Sequence, residues 1–456
     1  MLFVYRVRQI QLRKNHILYP YCCAITEGVK ALYNRANYIV RQYATGLEAN
    51  ENGRKLHSNQ EEVLKLVRET TEGTKFAPKG KWLNYYQLDH ILKVTKDPAY
   101  YGVPSHVNQQ TLKLILRDYR SFFEGLKRYQ REPKSFTGRP RLPRYKKTAS
   151  TAILSNQICI LQDNRFLKLP KCSLKADLGC VSGRLKEMRI KPMHDRIILE
   201  AVLEQDGAEE IPSNEEILFS CQEATHLERT LAIDPGVNNL LAITNNFGEQ
   251  PVLVSGRILK SINQYYNKEL ARLRSTAALC NGKKTTKRIR VLTRKRNNRI
   301  KDSMHKISRW VKEYAVKNGA RLVVMGHNKF QKQSSSMSRE NNQTFVQLPM
   351  DMLIRQLQYK LAEAGILFVC TEESYTSQSD YLAQDAIPVC GSKSGEKSDF
   401  SGKRIRRGLY RHYDGTVSNA DLNGAANIMR KVFPKVPRGL WDRGLLDSPY
   451  QAEISY

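Results

Sequence analysis

The chain has 456 residues, more than a single hydrophobic core usually organises, so about two or three domains are expected. Lys and Arg number 75 against 44 Asp and Glu, and this excess of 31 positive charges predicts a nucleic-acid partner. The sequence shows no signal peptide, lipid anchor or bilayer-spanning apolar run, so an anionic membrane surface is the less favoured partner and a bacterial cytoplasmic or nucleoid location is expected.

The N-terminal third contains one strand pattern followed by helical patterns. Residues 1–14 alternate apolar and basic side chains, as a strand does. Val29, Leu32 and Ala36 then recur at the spacing of an amphipathic helix, and similar patterns continue further along the chain. A helical domain over residues 15–135 is therefore predicted.

Proline, glycine and basic residues next mark a change of structure. The segment PKSFTGRPRLPRYKKTAS cannot continue a helix and reads as an extended basic stretch that contacts phosphate. Short apolar runs between turns, from about 151 to 222, predict a small antiparallel sheet or barrel. The strand at the N-terminus can pair with this sheet, which would make the domain discontinuous.

The rest of the chain alternates strands and helices. TLAIDPGVNNLLAITNNFG predicts a hairpin with Asp234 at its hinge, and a basic helical pair at 261–318 separates this hairpin from the apolar strand RLVVMGH. A helix, the strand ILFVCTEE, a loop at 376–416 and a helix in ADLNGAANIMRKV complete the order. Strands and helices with acids at strand ends predict α/β layering over 226–456.

Acidic residues stand at the ends of several of these elements. Asp234 follows a core strand, Asp421 opens the last helix, and Glu372 and Glu373 follow the strand ILFVC. Two metal ions bound across a scissile phosphate need a third carboxylate besides the two aspartates. Each position also has an ordinary explanation, because Asp favours turns and helix N-caps and Glu pairs are common on surfaces.

Two motifs give these acids a family context. AIDPGVNNLLAI and NADLNGAANIMRK resemble the first and third RuvC motifs of TnpB, a family of transposon-encoded RNA-guided DNA nucleases related to type V CRISPR effectors and Fanzor proteins. The resemblance implies that Asp234 and Asp421 are catalytic ligands of Mg²⁺ or Mn²⁺.

The resemblance extends over most of the chain and implies a multidomain α/β fold. Its nuclease part would be an RNase H-like RuvC domain, with a mixed sheet and helices. A helical recognition domain and a small β-barrel, or wedge, domain would accompany it. The implied domains are recognition at 15–135, wedge at 1–14 with 136–225, and RuvC at 226–456.

The chain departs from the commoner family pattern at Gly326, where most members carry the Glu of the second motif. One lineage has a relocated Glu in a pattern similar to E-x-Y-T-S, and this chain reads ESYTS from Glu373. By this resemblance Glu373 is the third catalytic metal ligand, with Glu372 in reserve. The competing interpretation is an inactive nuclease, against which the retention of both aspartates argues.

A zinc ribbon, which many relatives insert before the third motif, is not expected. The nine cysteines are scattered, no Cys-x-x-Cys pair occurs, and only Cys390 lies in this region, a pattern that also favours a reducing compartment. The insertion instead carries Lys and Arg interleaved with Phe400, Tyr410 and Tyr413. Contact with nucleic acid and a solvated basic loop are equally supported there.

The basic residues form three candidate contact surfaces. Between Lys283 and Lys306 there are eleven Lys or Arg and one acid, Asp302, which favours a nucleic-acid track over a solvated charged helix. The other two surfaces are the Pro-rich segment and the insertion. The predicted nucleic-acid contacts are Arg139, Arg141, Arg144, Lys146, Lys147, Lys287, Arg288, Arg290, Arg294, Lys295, Arg296, Arg299, Lys403, Arg404, Arg406 and Arg407.

The family resemblance implies an RNA-guided DNA endonuclease. A transposon-derived or CRISPR-type guide RNA would pair with double-stranded target DNA beside a short recognised motif, and the RuvC site would hydrolyse DNA phosphodiesters. The first alternative is a catalytically inactive RNA-guided DNA-binding regulator. The second is a transposase, which would join strands rather than only hydrolyse them.

Overall fold

The computed structural model divides the chain into two compact units, Met1–Glu210 and Ile211–Tyr456. Within the described residues, no helix is long and apolar enough to cross a bilayer. The described residues are 5–193, 196–204, 212–281, 285–327, 348–388, 400–406, 408–436, 446 and 448–454.

Long amphipathic helices dominate the first half of the first unit. Helix α1 buries Val29, Leu32 and Ala36 along one stripe, the face that the spacing predicts. Helix α5 packs along α1, and its Tyr119 donates a hydrogen bond of 2.8 Å to the buried Asn37 of α1. The helices are α1 (Tyr19–Glu51), α2 (Ser58–Thr71), α3 (Tyr85–Val94), α4 (Pro98–Tyr101) and α5 (Ser105–Arg131).

The first unit also contains two antiparallel sheets. The first has the order β1-β7-β6-β2, so the N-terminal strand pairs with a strand nearly 200 residues later, Tyr5 lying opposite Glu204. The second has the order β3-β4-β5. The strands are β1 (Tyr5–Leu12), β2 (Ala152–Ser155), β3 (Ile160–Gln162), β4 (Phe166–Lys168), β5 (Lys175–Asp177), β6 (Arg184–Met193) and β7 (Arg196–Glu204).

A mixed six-stranded sheet forms the centre of the second unit. Its order is β12-β11-β8-β9-β10-β16; β9 runs antiparallel to β8 and β10, whereas β11 runs parallel to β8 and β12. The predicted mixed α/β architecture is confirmed. The strands are β8 (Thr230–Pro235), β9 (Asn239–Asn245), β10 (Val252–Ser255), β11 (Leu322–Gly326), β12 (Leu367–Thr371) and β16 (Tyr450–Gln451).

Helices cover both faces of this sheet, because its central strands are apolar on both sides. In β8, Leu231 and Ile233 face the cluster formed with α8 and α9, whereas Ala232 faces the cluster formed with α10. A small sheet, β13 (Lys403–Arg406), β14 (Leu409–Arg411) and β15 (Val417–Asn419), leads into α10. The helices are α6 (Asn214–Glu223), α7 (Arg257–Asn281), α8 (Lys287–Lys317), α9 (Met350–Ala362) and α10 (Ala420–Val432).

Candidate active site

Asp234 lies at the carboxyl end of β8, where the chain turns toward β9. Helix α10 passes this end so closely that a Cβ atom on Gly424 would lie 2.8 Å from Oδ2 of Asp234. Since that distance is too short for a carbon and an oxygen in contact, only glycine allows the helix to approach the carboxylate this closely. The AIDPG and LNGAA segments are therefore neighbours in space.

Asp421 opens α10 but does not cap it. The N-cap is Asn419, whose Oδ1 accepts hydrogen bonds from the backbone N–H of Asp421 at 2.9 Å and of Leu422 at 3.3 Å. The Asp421 carboxylate instead accepts hydrogen bonds from Asn239 at 2.9 Å and from Arg404 at 3.1 Å. The capping explanation of this acid is thus wrong, and its carboxylate is available for other contacts.

Glu373 comes to the same place from the end of β12. Gly326 lies opposite Thr371 on the neighbouring strand, and a Cβ atom built on Gly326 would lie 3.0 Å from Oε2 of Glu373. The Glu373 carboxylate therefore borders the space that a side chain at position 326 would enter.

Glu372 points elsewhere. Its carboxylate accepts hydrogen bonds from the Lys431 ammonium and, at 2.7 Å, from the backbone N–H of Ser374. Partial burial raises the pKa of Glu372, but these hydrogen bonds outweigh it and leave the pKa below its usual value. Lys431 thus anchors Glu372 as a structural ion pair.

The environment of Asp234 includes the charges of the other two carboxylates. Burial, followed by the charges of Glu373 and Asp421, raises the pKa of Asp234 well above its usual value, and Arg404 opposes the shift. Such a group of oxygen ligands has the chemistry that Mg²⁺ or Mn²⁺ prefers. Among the described residues no three His, Cys, Asp or Glu side chains already enclose a metal position, so the carboxylates would have to turn toward a bound cation.

The loop after Glu373 is fastened to α10 by two buried asparagines. Asn427 donates hydrogen bonds to the carbonyl oxygens of Thr376 at 3.0 Å and Ser379 at 2.7 Å. Asn423 donates to the Ser379 carbonyl at 2.8 Å and accepts from the Tyr381 backbone N–H at 3.1 Å. The segments that carry Glu373 and Asp421 are therefore held to each other.

A buried polar network connects this loop to the small sheet. Nδ1 of His412 lies 2.6 Å from Oδ1 of Asp380, and Nε2 lies 2.7 Å from Oγ of Ser418. Asp380 also accepts a 2.7 Å hydrogen bond from the backbone N–H of Tyr413. Burial raises the pKa of Asp380, but these hydrogen bonds outweigh it and hold the pKa below its usual value.

Sequence reasoning missed Asn239, Asp380 and His412. Asn239 had a local signal, because two asparagines follow the Pro-Gly turn and one of them can reach an acid at the hinge. Asp380 and His412 lie 32 residues apart, and no spacing rule joins them. Only the folded insertion brings this pair together.

The predicted basic contacts in the first unit lie on a well-anchored segment. Asn34 of α1 pairs with the backbone of Lys146 through hydrogen bonds of 2.7 and 2.9 Å, and Arg41 donates a 2.6 Å bond to the carbonyl of Pro143. The Lys146 ammonium lies 4.4 Å from the centre of the Tyr33 ring. The exposed members of this set are Arg139, Arg141, Arg144 and Lys147.

Five of the basic residues of α8 line a groove of about 540 Å³ against α7, together with Tyr265 and Tyr266. Arg296 is partly structural here, because its Nε donates a 2.8 Å hydrogen bond to the buried Asn263. Arg290 and Arg294 lie on the same helix but do not line the groove. The basic residues that line it are Lys287, Arg288, Lys295, Arg296 and Arg299.

The third basic group lies beside the carboxylates. Lys403, Arg404 and Arg406 are exposed along β13, and Arg404 contacts Asp421 directly. Arg407 lies outside the described residues.

Two family models match parts of the chain that contain the candidate site. Residues 209–341 match the family model OrfB_IS605, described as a probable transposase. Residues 351–428 match the model of the Cas12f1-like TNB domain. The resemblance to TnpB-type nucleases is confirmed. The two matched ranges contain Asp234, Gly326, Glu373 and Asp421. No curated protein matches the chain.

Solved structures that resemble the chain include a Cas12f1–sgRNA–target DNA complex, with 15% identity over 93% of this chain and 99% of that chain and a TM-score of 0.31. The mini-RNA-guided endonuclease CRISPR-Cas_phi3 gives 9% identity, 95% and 93% coverage and a TM-score of 0.44. Alicyclobacillus acidoterrestris C2c1 with single-guide RNA gives 10% identity, 87% and 70% coverage and a TM-score of 0.32.

Proposed function

We propose that the protein is an RNA-guided DNA endonuclease that hydrolyses phosphodiester bonds at Asp234, Glu373 and Asp421. The observation that carries this proposal is the approach of three carboxylates from β8, β12 and α10, with α10 passing Asp234 at Gly424 and β11 passing Glu373 at Gly326. Burial raises the pKa of Asp234 well above its usual value, and the charges of Glu373 and Asp421 add to this shift. The strand order β10-β9-β8-β11-β12, with β9 alone antiparallel, supports assignment of 226–456 as an RNase H-like RuvC domain. The helices of the first unit would then be the recognition domain, and its sheets the wedge domain.

The three carboxylates would hold Mg²⁺ or Mn²⁺, which when bound acidifies the attacking water and neutralises charge on the phosphate. The surrounding residues have separate tasks. Asn239 orients Asp421 through its 2.9 Å hydrogen bond, and the glycines at 326 and 424 leave room for the carboxylates. Arg404 is exposed and contacts Asp421 in the structure. If Asp421 bound a cation instead, the Arg404 guanidinium would be free to donate to a non-bridging phosphate oxygen.

The partners proposed for the chain are a guide RNA and double-stranded target DNA. The net charge of +31 supports a polyanionic partner. The α7–α8 groove supports a backbone track, because exposed Lys and Arg line it and Tyr265 and Tyr266 offer stacking surfaces. The anchored segment 139–147 would be a second contact, since hydrogen bonds to α1 fix its backbone and leave four basic side chains in solvent.

The experiment that tests this function is purification of the chain with its co-expressed flanking locus. Bound RNA is sequenced, and matching duplex DNA is then supplied with Mg²⁺ and with EDTA. The expected result is a discrete bound RNA and cuts that need both the match and the metal. RNA-guided binding without cuts would favour the inactive regulator, joined strands would favour a transposase, and absence of RNA would contradict the proposal.

A second expected result concerns the groove. Arg299→Gln should weaken nucleic-acid binding and lower the slope of log affinity against log salt by about one unit, because one phosphate contact is lost. The matched control is Arg309→Gln on the same helix, since Arg309 is paired with Glu313 through a 2.7 Å contact and does not line the groove. Equal slopes of log affinity against log salt for the two variants would show that the groove does not bind nucleic acid.

A further inference from the structure

The turn after Glu373 contains a strained aromatic residue. Tyr375 has φ of 63°, in the left-handed region that bulky side chains rarely adopt. Strain of this kind persists only where neighbouring contacts enforce it, and it clusters at functional sites.

Hydrogen bonds enforce this turn from both sides. The backbone N–H groups of Gln378 and Ser379 each donate to the Tyr375 carbonyl at 3.0 Å. Oγ1 of Thr376 donates to the Glu373 carbonyl at 2.8 Å, and Asn427 of α10 donates to the Thr376 carbonyl at 3.0 Å. None of these hydrogen bonds involves the Tyr375 side chain, so the tyrosine ring is not needed to form the turn.

The ring of Tyr375 is exposed to solvent rather than packed in the core. Tyr375 is 41% exposed, and its ring lies 6.4 Å from that of Phe400, with 37° between the two planes. Phe400 stands three residues before the exposed, basic strand β13, whose Arg404 contacts Asp421. An aromatic pair and a cationic strand thus flank the carboxylates.

We propose that Tyr375 and Phe400 form a stacking platform for an unpaired base of single-stranded DNA, while β13 contacts the phosphates of the same strand. This inference rests on the proposed function and adds two residues that would position the strand at the site. Bases in a duplex already stack on their neighbours and cannot reach a protein ring, whereas an unpaired base can. The strained turn is then explained, because it aims the ring outward beside Glu373.

The test uses Tyr375→Asn and Tyr375→Phe in the RNA-loaded protein. Asn tolerates a positive φ, so Tyr375→Asn should leave the melting temperature unchanged or raise it. Its affinity for a single-stranded DNA oligonucleotide should nevertheless fall about tenfold, because one stacked base is lost. Tyr375→Phe keeps the ring and should bind as the wild type does. The readouts are binding of an oligonucleotide that contains 2-aminopurine, whose fluorescence reports stacking, and cleavage of the same strand.

The matched control is Tyr359→Asn on α9, since Tyr359 is also 41% exposed and lies outside the ring pair. Binding by Tyr375→Asn equal to the wild type, or an equal loss in Tyr359→Asn, would overturn the platform. Because binding and cleavage are scored separately, a wild type that binds and stacks the strand without cutting it contradicts the nuclease function and leaves the platform standing. A wild type that does not bind the strand overturns the platform itself.

Discussion

Asp234→Asn should abolish cutting of guide-matched DNA while leaving RNA binding intact. The amide keeps the shape of the side chain but removes the charge that a divalent cation needs. The expected loss is about a thousandfold or more, since the metal supplies several kcal/mol of transition-state stabilisation. Cleavage rates at saturating Mg²⁺, together with electrophoretic binding of the guide, measure both halves of this prediction.

The same variant separates function from stability. Burial and the charges of Glu373 and Asp421 disfavour the ionised form of Asp234, so its charge opposes folding when no cation is bound. Asp234→Asn should therefore melt at the same or a higher temperature than the wild type in EDTA, and Mg²⁺ should raise the melting temperature of the wild type only. The control is Asp302→Asn on exposed helix surface. Normal cutting by Asp234→Asn would rule out Asp234 as a metal ligand.

Asp380→Ala should destabilise the second unit by about 3 kcal/mol. The substitution leaves the buried His412 and the backbone N–H of Tyr413 without their acceptor. Urea denaturation of the full chain, monitored by circular dichroism, measures the change in the free energy of unfolding. Hydrogen bonds hold the pKa of Asp380 below its usual value. Ionised Asp380 therefore contributes fully to the free energy of unfolding above the pKa of an unfolded Asp, about 3.9, and this contribution is lost as the pH falls from there through the lower pKa of the folded state.

The comparison for this prediction is Asp302→Ala, which breaks only an exposed ion pair with Lys306. Its cost should stay below about 1 kcal/mol. Equal stability of the wild type and Asp380→Ala at neutral pH would mean that the buried network does not hold the insertion. If the difference in stability between the wild type and Asp380→Ala disappeared on raising rather than lowering the pH, this would contradict the assignment of Asp380 as ionised.

Local patterns in the sequence were sufficient for the elements that carry the site. The hairpin around Asp234 and the helix that begins beside Asp421 follow from apolar strands, a Pro-Gly turn and small residues. The role of each acid did not follow. Asp421 and Asn419 are equally good caps by composition, and only the backbone geometry shows that Asn419 takes the N-cap.

Features that depend on distant residues were not predictable. The contact of Arg404 with Asp421 needs the register of β13, β14 and β15, which no periodicity specifies. The left-handed backbone of Tyr375 contradicts the preference of a bulky side chain, so propensity argues against it. Residue type and position after the strand do not distinguish Glu372 from Glu373, and the ESYTS resemblance alone favoured Glu373; in the structure, the contact of Lys431 with Glu372 separates the two.

Mg²⁺-dependent cleavage of guide-matched duplex DNA by Glu373→Gln and Glu372→Gln, measured side by side, tests the three-carboxylate site most directly. Both changes remove one charge from adjacent positions, so each is the control for the other. We predict that Glu373→Gln loses about a thousandfold in rate, whereas Glu372→Gln, which loses only its ion pair with Lys431, stays within about tenfold of the wild type. Wild-type cutting by Glu373→Gln, with or without a loss in Glu372→Gln, would contradict the assignment of Glu373 as the third ligand.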